Sequence, residues 1–87
     1  MLLESCVDLV VGYKIIDVIG NNNLTIFEIE QKIGFKYFDN KLEQSMKLKI
    51  KHQLHKLVET NLIEEKFTNG TTFYLSEKLK DLLANQG

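Results

Sequence analysis

An Asn-Gly pair between two β-favouring segments, placed directly after a long amphipathic helical pattern, constrains the fold more than any other feature. Residues 62–67 and 71–75 flank Thr68, Asn69 and Gly70. Asn and Gly both tolerate the positive φ that a type I′ turn requires, so the segment predicts an antiparallel hairpin. A long helix leading at once into a hairpin is the order on which the fold prediction rests.

The helix before the hairpin is predicted over residues 41–60. Asn40 and Glu43 have the spacing of a capping box at its start, and Asn61 is a residue type that tolerates a left-handed stop. Apolar residues repeat at steps of mostly four, which places them on one buried stripe. That stripe comprises Leu42, Met46, Ile50, Leu54, Leu57 and Val58.

Residues 2–19 are predicted to form a helix with two apolar seams, although β-branched residues at 10, 11, 15 and 16 also permit a strand over part of the segment. One stripe suffices for a helix packed on a single core. The second seam therefore favours a homodimer built on this helix, and the alternative is a helix inserted deeply into its own domain. The proposed dimer seam is Leu2, Cys6, Leu9, Tyr13 and Ile16, and the other is Leu3, Val7, Val10 or Val11, and Val18.

Local signals delimit two further helices. Gly20 and the three asparagines after it stop the first element, and Thr25 with Glu28 forms a second capping box. A short helix follows and is predicted to end at Gly34. Ser76 can cap a last helix that carries Leu79, Leu82 and Leu83. The fold class is mainly α with a small β-hairpin (α+β), in a single domain over residues 1–87.

Composition indicates a soluble globular chain, and the charge is unevenly distributed. With 44% apolar and 26% charged residues, 87 residues suit one small domain. The lone Cys6 has apolar neighbours and is interpreted as a small hydrophobe. The first residues lack the positive charge of a signal peptide, and charged residues interrupt the most apolar stretch, so no membrane span is expected. The predicted location is cytoplasmic or nucleoid-associated.

Positive charge concentrates in the middle of the chain. The net charge is -1, yet residues 36–56 hold six lysines against Asp39 and Glu43, a local net charge of +4. Such concentration is typical of an element that contacts phosphate groups. The alternative is a solvated, lysine-rich helix face.

The non-core face of the predicted third helix has the side chains that groove recognition needs. Lysines can meet phosphates, an amide and a hydroxyl can meet base edges, and an apolar group can touch a thymine methyl. The face carries Lys41, Gln44, Ser45, Leu48, His52 and His55, flanked by Lys49, Lys51 and Lys56. The chain has no arginine, which favours backbone, shape or A·T-biased recognition unless it reflects codon usage.

Enzymatic and metal-binding readings find little support. No glycine-rich phosphate loop, paired cysteine motif or nucleophile motif occurs. His52 and His55 share a helical face with Glu59 one turn further on, but a zinc site needs three or four ligands in the right geometry. We therefore expect no enzyme activity, no metal and no cofactor, and interpret the histidines as phosphate contacts or solvated residues.

The chain resembles winged-helix transcription regulators. Residues 57–66 (LVETNLIEEK), the turn, and residues 73–78 (FYLSEK) resemble the end of the recognition helix, the wing and the start of the following helix. Residues 24–34 resemble the first strand and second helix. PadR-type and multiple-antibiotic-resistance-type regulators, and small stand-alone winged-helix proteins of archaea and their viruses, share this pattern.

The resemblance implies a winged helix-turn-helix in the order helix, short strand, helix, helix, strand, strand, helix. It implies that part of the third helix faces the major groove, namely Lys41, Gln44, Ser45, Leu48 and His52. It also implies that Thr68, Asn69 and Thr71 lie near the backbone or the minor groove. Two features depart from the family: the wing has no charge at its tip, and the turn at residues 35–40 is long.

That turn adds Phe35, Tyr37 and Phe38, whose rings either pack under the helices or form a partner site. The favoured function is a small DNA-binding regulator that binds double-stranded DNA as a homodimer. Its backbone affinity would come from Lys36, Lys41, Lys49, Lys51 and Lys56. The alternative is a winged-helix protein-interaction module, in which the basic helix meets an acidic partner and the aromatic turn is the anchor.

Overall fold

The computed structural model describes residues 9–85, which form four helices and one two-stranded antiparallel hairpin. The elements are α1 (Leu9–Ile19), α2 (Ile26–Tyr37), α3 (Gln44–Glu59), β1 (Ile63–Phe67), β2 (Thr71–Leu75) and α4 (Glu77–Ala84). The α+β class predicted from the sequence is confirmed in this form: helices dominate, and the hairpin follows the longest of them.

Helix α1 packs on the core through a stripe that the sequence patterns did not isolate. Val11, Ile15 and Ile19 recur every four residues and are each at most 4% exposed. The second predicted seam supplies Val11 and the partly buried Val18 to this packing, but Ile15 and Ile19 belong to neither predicted seam. Leu2 and Cys6 lie outside the described residues. A segment that is apolar on almost every side carries little periodic signal, so the partner elements decide which face is buried.

Helix α2 begins at the predicted capping box. The Thr25 hydroxyl accepts a hydrogen bond from the Glu28 amide (3.1 Å), and the Glu28 carboxylate accepts one from the Thr25 amide (2.9 Å). The predicted end at Gly34 is wrong, because the helix continues to Tyr37 and Gly34 is buried inside it. Asp39 and Asn40 have positive φ values of 54° and 62° and end the helix instead.

Helix α3 begins later than predicted. Asn40 belongs to the end of α2, so the proposed Asn40 and Glu43 capping box is wrong, and Glu43 occupies the N-cap position without a side-chain hydrogen bond. Lys41 consequently precedes the helix and does not share its face. The end is confirmed, since Asn61 has a φ of 64° directly after the last turn. The predicted buried stripe is also confirmed, with Ile50 and Leu54 at most 2% exposed.

The hairpin is confirmed, with a longer loop than a type I′ turn. Phe67 pairs with Thr71, which leaves three residues in the connection. Asn69 and Gly70 both have positive φ, at 54° and 109°, as their residue types predicted. The Thr68 amide donates to the Gly70 carbonyl (3.0 Å) and closes the loop.

The predicted first strand is reduced to a single bridge. Leu24 and Phe73 exchange two backbone hydrogen bonds, of 3.0 and 2.7 Å, and no longer strand forms around Leu24 within residues 9–85. The Thr25 cap turns the chain into α2 immediately afterwards, which leaves one residue to pair with β2. The described chain thus has two strands where three were expected.

The core lies where α1, α2 and α3 meet the inner face of the hairpin. Seven aliphatic side chains are essentially inaccessible to solvent: Ile15, Ile19, Ile29, Ile33, Ile50, Leu54 and Ile63. Helix α4 adds the buried Leu79, and the Ser76 hydroxyl caps it by accepting from the Leu79 amide (3.1 Å), as predicted. Within residues 9–85, no buried side-chain nitrogen or oxygen lacks a hydrogen-bond partner.

Candidate functional site

Helix α3 presents one long face to solvent. Ile50, Leu54 and Leu57 turn the opposite face into the core, which fixes the side chains that remain outside. Leu48 is 59% exposed, a large exposure for an aliphatic side chain. From the predicted site, the exposed residues of α3 are Gln44, Ser45, Leu48, Lys49, Lys51, His52 and His55, with Lys56 half-buried. The structure therefore brings these residues together on one surface, while Lys41 lies in the segment before it.

The lysines of α3 keep their charge available. Among residues 9–85, the ion pair between Lys36 and Asp17 is the only one, so neither Lys49 nor Lys51 is neutralised by a neighbouring carboxylate. Glu59 is the one acidic residue within α3, and it lies in the last turn. The exposed face of α3 is consequently basic along most of its length.

Lys36, which the sequence analysis predicted to contact DNA, forms an ion pair with Asp17 of α1. Its ammonium group donates to Asp17, and the Tyr37 hydroxyl donates to the same carboxylate oxygen (2.5 Å). The hydrogen bonds from Lys36 and Tyr37 hold the pKa of Asp17 below its usual value, and the bond to Asp17 raises the pKa of Lys36 and of Tyr37. Lys36 therefore joins two helices and belongs to a different cluster from the α3 lysines.

The three aromatic residues of the turn differ in burial, so the two interpretations of the turn, packing under the helices and forming a partner site, apply to different rings. Tyr37 and Phe38 are half-buried and pack against the core, with the Lys14 ammonium 5.2 Å from the Tyr37 ring centroid and 5.7 Å from that of Phe38. Phe35 is 73% exposed. Two of the three rings thus stabilise the domain, and one is left on the surface.

The hairpin carries its predicted site residues toward the tip. Thr68 and Asn69 are exposed, and Thr71 is half-buried on the inner face. Nearer the base, the Tyr74 hydroxyl donates to the Glu64 carboxylate (3.0 Å), and this hydrogen bond raises the pKa of Tyr74. The tip therefore offers uncharged polar groups, and the acidic side chains lie closer to the core.

A groove of about 400 Å³ separates the hairpin from the helices, and we call it the hairpin groove. Leu54 and Phe73 are its buried apolar lining, and Lys51 and His55 of α3 border it. The remaining lining residues are Thr25, Ile26, Phe27, Glu65 and Thr71. The structure thus brings Thr71 of the predicted site next to two of its α3 residues.

A second groove, of about 350 Å³, lies between α2 and the start of α3, and we call it the interhelical groove. Phe27 is 64% exposed and lines both grooves, so it is the residue that the two grooves share, and we call it the Phe27 ridge. Lys47, Gln31 and Leu42 border the interhelical groove. The sequence patterns did not single out Phe27 or Lys47. The sequence feature that could have identified Phe27 is its position outside the buried stripe of α2, which runs through Ile29 and Ile33.

Helix α1 leaves an apolar surface uncovered. Leu9, Val10 and Tyr13 are 78%, 62% and 66% exposed, and Tyr13 also borders a shallow groove that reaches Leu83 of α4. Ile16, the last residue of the predicted dimer seam, is half-buried against the core. Of the described residues of the predicted dimer seam, Leu9 and Tyr13 are therefore exposed, and Ile16 packs against the core.

Within residues 9–85, no group of three or more His, Cys, Asp or Glu side chains is arranged to hold a metal ion. In the same residues, no helix is long and apolar enough to cross a membrane. Comparison with protein-family models, curated proteins and solved structures finds no match to this chain.

Proposed function

We propose that the protein is a small winged helix-turn-helix DNA-binding protein that acts in transcription regulation. Helix α3 enters the major groove, α2 precedes it as the supporting helix, and the hairpin is the wing near the sugar-phosphate backbone. The observation that carries the proposal is the solvent-facing side of α3, whose lysines form no ion pair with any residue from 9 to 85.

The side chains on that face match the contacts that a major groove offers. Gln44 can bond an adenine edge, Ser45 can bond several base edges, and the exposed Leu48 can touch a thymine methyl. Lys49, Lys51 and Lys56 can meet phosphates as point charges. Lys41, just before the helix, remains a candidate for a backbone contact, whereas Lys36 is occupied by Asp17.

The proposal includes a homodimer through the first helix. Leu9 and Tyr13 are exposed, and Leu2 and Cys6 continue their spacing of fours and threes toward the N-terminus. Burying such side chains between two copies would remove a large apolar area from water, and closed two-fold dimers are the commonest soluble oligomers.

Sedimentation analysis tests the dimer, with Leu9→Glu/Tyr13→Glu as the disrupting variant and Phe35→Glu as the exposed-residue control. The wild type and the control should sediment as dimers, and the double variant should sediment as a monomer. A wild-type chain that stays monomeric at high concentration would remove the dimer from the proposal and leave the DNA-binding surface untouched.

Fluorescence anisotropy with A·T-rich and G·C-rich duplexes across a salt series tests DNA binding. The Lys49→Glu/Lys51→Glu variant should weaken binding to all sequences and lower the salt slope by about 1.8, because each phosphate contact contributes about 0.9. The matched control, Lys32→Glu/Lys78→Glu, makes the same change of charge at exposed positions on α2 and α4. Equal loss of affinity in both variants would contradict the assignment of the α3 face.

One observation favours a second candidate, a protein-interaction module. Phe35 is 73% exposed at the end of α2, where it could anchor an acidic partner that also meets the basic helix. Tyr37 and Phe38 contribute less to such an anchor, because they are half-buried in the domain. Absence of binding to either duplex at low salt would favour this candidate.

A further inference from the structure

We propose that the two grooves beside Phe27 form one track that binds an unpaired nucleic-acid strand, with Phe27 as the stacking platform between two bases. The Phe27 track consists of the hairpin groove, the Phe27 ridge and the interhelical groove. The track shares Lys51 and His55 with the proposed duplex-binding face of α3, but the proposal does not rest on duplex binding, because Phe27 and Lys47 lie outside that face.

Two lysines and one histidine follow the track on its α3 side. Lys47 borders the interhelical groove, and Lys51 and His55 border the hairpin groove. The three residues are spaced four apart, so they form one stripe along the helix, which we call the basic stripe. At a rise of about 1.5 Å per residue, the basic stripe extends over about 12 Å, enough to run beside consecutive phosphates of one strand.

The other lining residues of the track provide apolar surface against which the rings of bases can pack. Leu54 and Phe73 line the floor of the hairpin groove, and Leu42 contributes apolar surface to the interhelical groove. Phe27 is exposed and lines both recesses, so its ring is available for stacking to a base that enters either one. Single-strand binding proteins combine these two elements, a positively charged groove along the backbone and aromatic rings against the base faces.

Carboxylates on the other walls set the direction in which a strand can lie. Glu65 of β1 lines the hairpin groove and Glu30 of α2 lines the interhelical groove, so both carboxylates come from elements other than α3. Phosphates are repelled from these walls and attracted to the stripe, whereas carboxylates can accept hydrogen bonds from the N–H groups of bases, including the ring N–H of thymine. The backbone should therefore run along α3, with the bases pointing toward α2 and the hairpin.

A paired strand does not fit this arrangement. The faces of its bases are already stacked on one another, and so they are unavailable to an aromatic side chain. The two recesses are also small, with volumes of about 400 and 350 Å³. An unpaired strand is the form of nucleic acid that can use both the clefts and the ring.

The first test measures fluorescence anisotropy of a short labelled oligothymidylate, which has little structure of its own. Phe27→Ala should weaken binding by roughly five- to 150-fold, the range expected for loss of one stacking contact. Phe35→Ala is the matched control, since it removes an equally exposed phenylalanine from the same helix outside the track. Both variants should keep the circular dichroism spectrum and the melting temperature of the wild type within a few degrees.

The second test uses Phe27→Trp, which introduces the first tryptophan into a chain that has none. Its affinity for the oligothymidylate should equal or exceed that of the wild type, and binding should quench its fluorescence because a base stacks on the indole. Lys47→Gln should lower the salt slope for the oligothymidylate by about 0.7, the contribution of one phosphate contact in a single strand.

Three results would overturn the track: no binding of the oligothymidylate by the wild type at low salt, equal affinity in Phe27→Ala and Phe35→Ala, or no quenching of Phe27→Trp on binding. Duplex binding is measured in parallel with the same proteins. Loss of oligothymidylate binding with retained duplex binding would reject the track alone, and the reverse would reject the proposed function alone.

Discussion

Replacing Gly34 by alanine is expected to stabilise the protein, although a glycine near a helix end is usually expected to resist substitution. Gly34 has ordinary helical backbone angles inside α2, and glycine is worse than alanine by about 1 kcal/mol in a helix interior. A Cβ atom built at Gly34 would meet the Cβ of Leu42 at 3.5 Å, an ordinary contact with no clash. The free energy of unfolding should therefore rise by about 1 kcal/mol.

For a domain of this size, a gain of about 1 kcal/mol corresponds to a rise of about 4–8 °C in Tm. The assay is thermal unfolding followed by circular dichroism, at one fixed protein concentration so that self-association affects both proteins equally. Gly20→Ala is the control, because Gly20 has a φ of 53° in open space and a side chain there is strained. If α2 ended at Gly34, alanine there would be strained in the same way, so a lower Tm for Gly34→Ala would refute the reasoning.

Two further predictions concern the start of α2 and the link between α1 and α2. Thr25→Ala should lower the free energy of unfolding by about 1 kcal/mol in urea titrations, because the Glu28 amide loses its cap, while Thr25→Ser should retain most of the stability. The pKa of Asp17 is lowered in the fold, so its stabilising contribution is present above the ordinary value of 3.8 and is lost as the pH falls through the folded value. The Tm difference between wild type and Asp17→Asn should accordingly be largest near neutral pH and vanish in strong acid, and a difference independent of pH would contradict the role of the carboxylate.

Features set by neighbouring residues could be predicted from the sequence. The capping box at Thr25, the serine cap at Ser76 and the left-handed Asn61 each depend on a few adjacent backbone groups, and all three are present. The hairpin belongs with them, since Asn69 and Gly70 supply positive φ wherever the strands are placed. Local chemistry of this kind acts in the same way in almost any surrounding structure.

Features set by contacts between elements could not be predicted. Glycine is a residue type that commonly ends helices. The helix α2 nevertheless continues past Gly34 to Tyr37, because Ile33 is buried in the core and Tyr37 packs against it. Asn40 lies three residues before Glu43, which is the spacing of a capping box. It instead adopts a left-handed backbone conformation just after α2, and α3 begins at Gln44. In both cases tertiary packing, and not the local sequence alone, determines where the helix begins or ends.

The same distinction applies to the candidate site, where the exposed helix face could be predicted from the sequence and the contacts between elements could not. The exposed face of α3 follows from periodicity, because the buried stripe through Ile50 and Leu54 fixes its opposite. The pairing of Lys36 with Asp17 and the position of Phe27 between two grooves depend on how α1, α2 and α3 lie against one another. A linear pattern contains no information on that arrangement.

The bridge between Leu24 and Phe73 makes the two halves of the chain depend on each other. Each residue's amide donates to the other's carbonyl, so neither amide can exchange its hydrogen with solvent unless the segment before α2 separates from β2. That separation would also uncover Phe73, which is buried. The hairpin is therefore expected to open together with the α1–α2 connection as one cooperative unit, and the amides of Leu24 and Phe73 should exchange at similar rates.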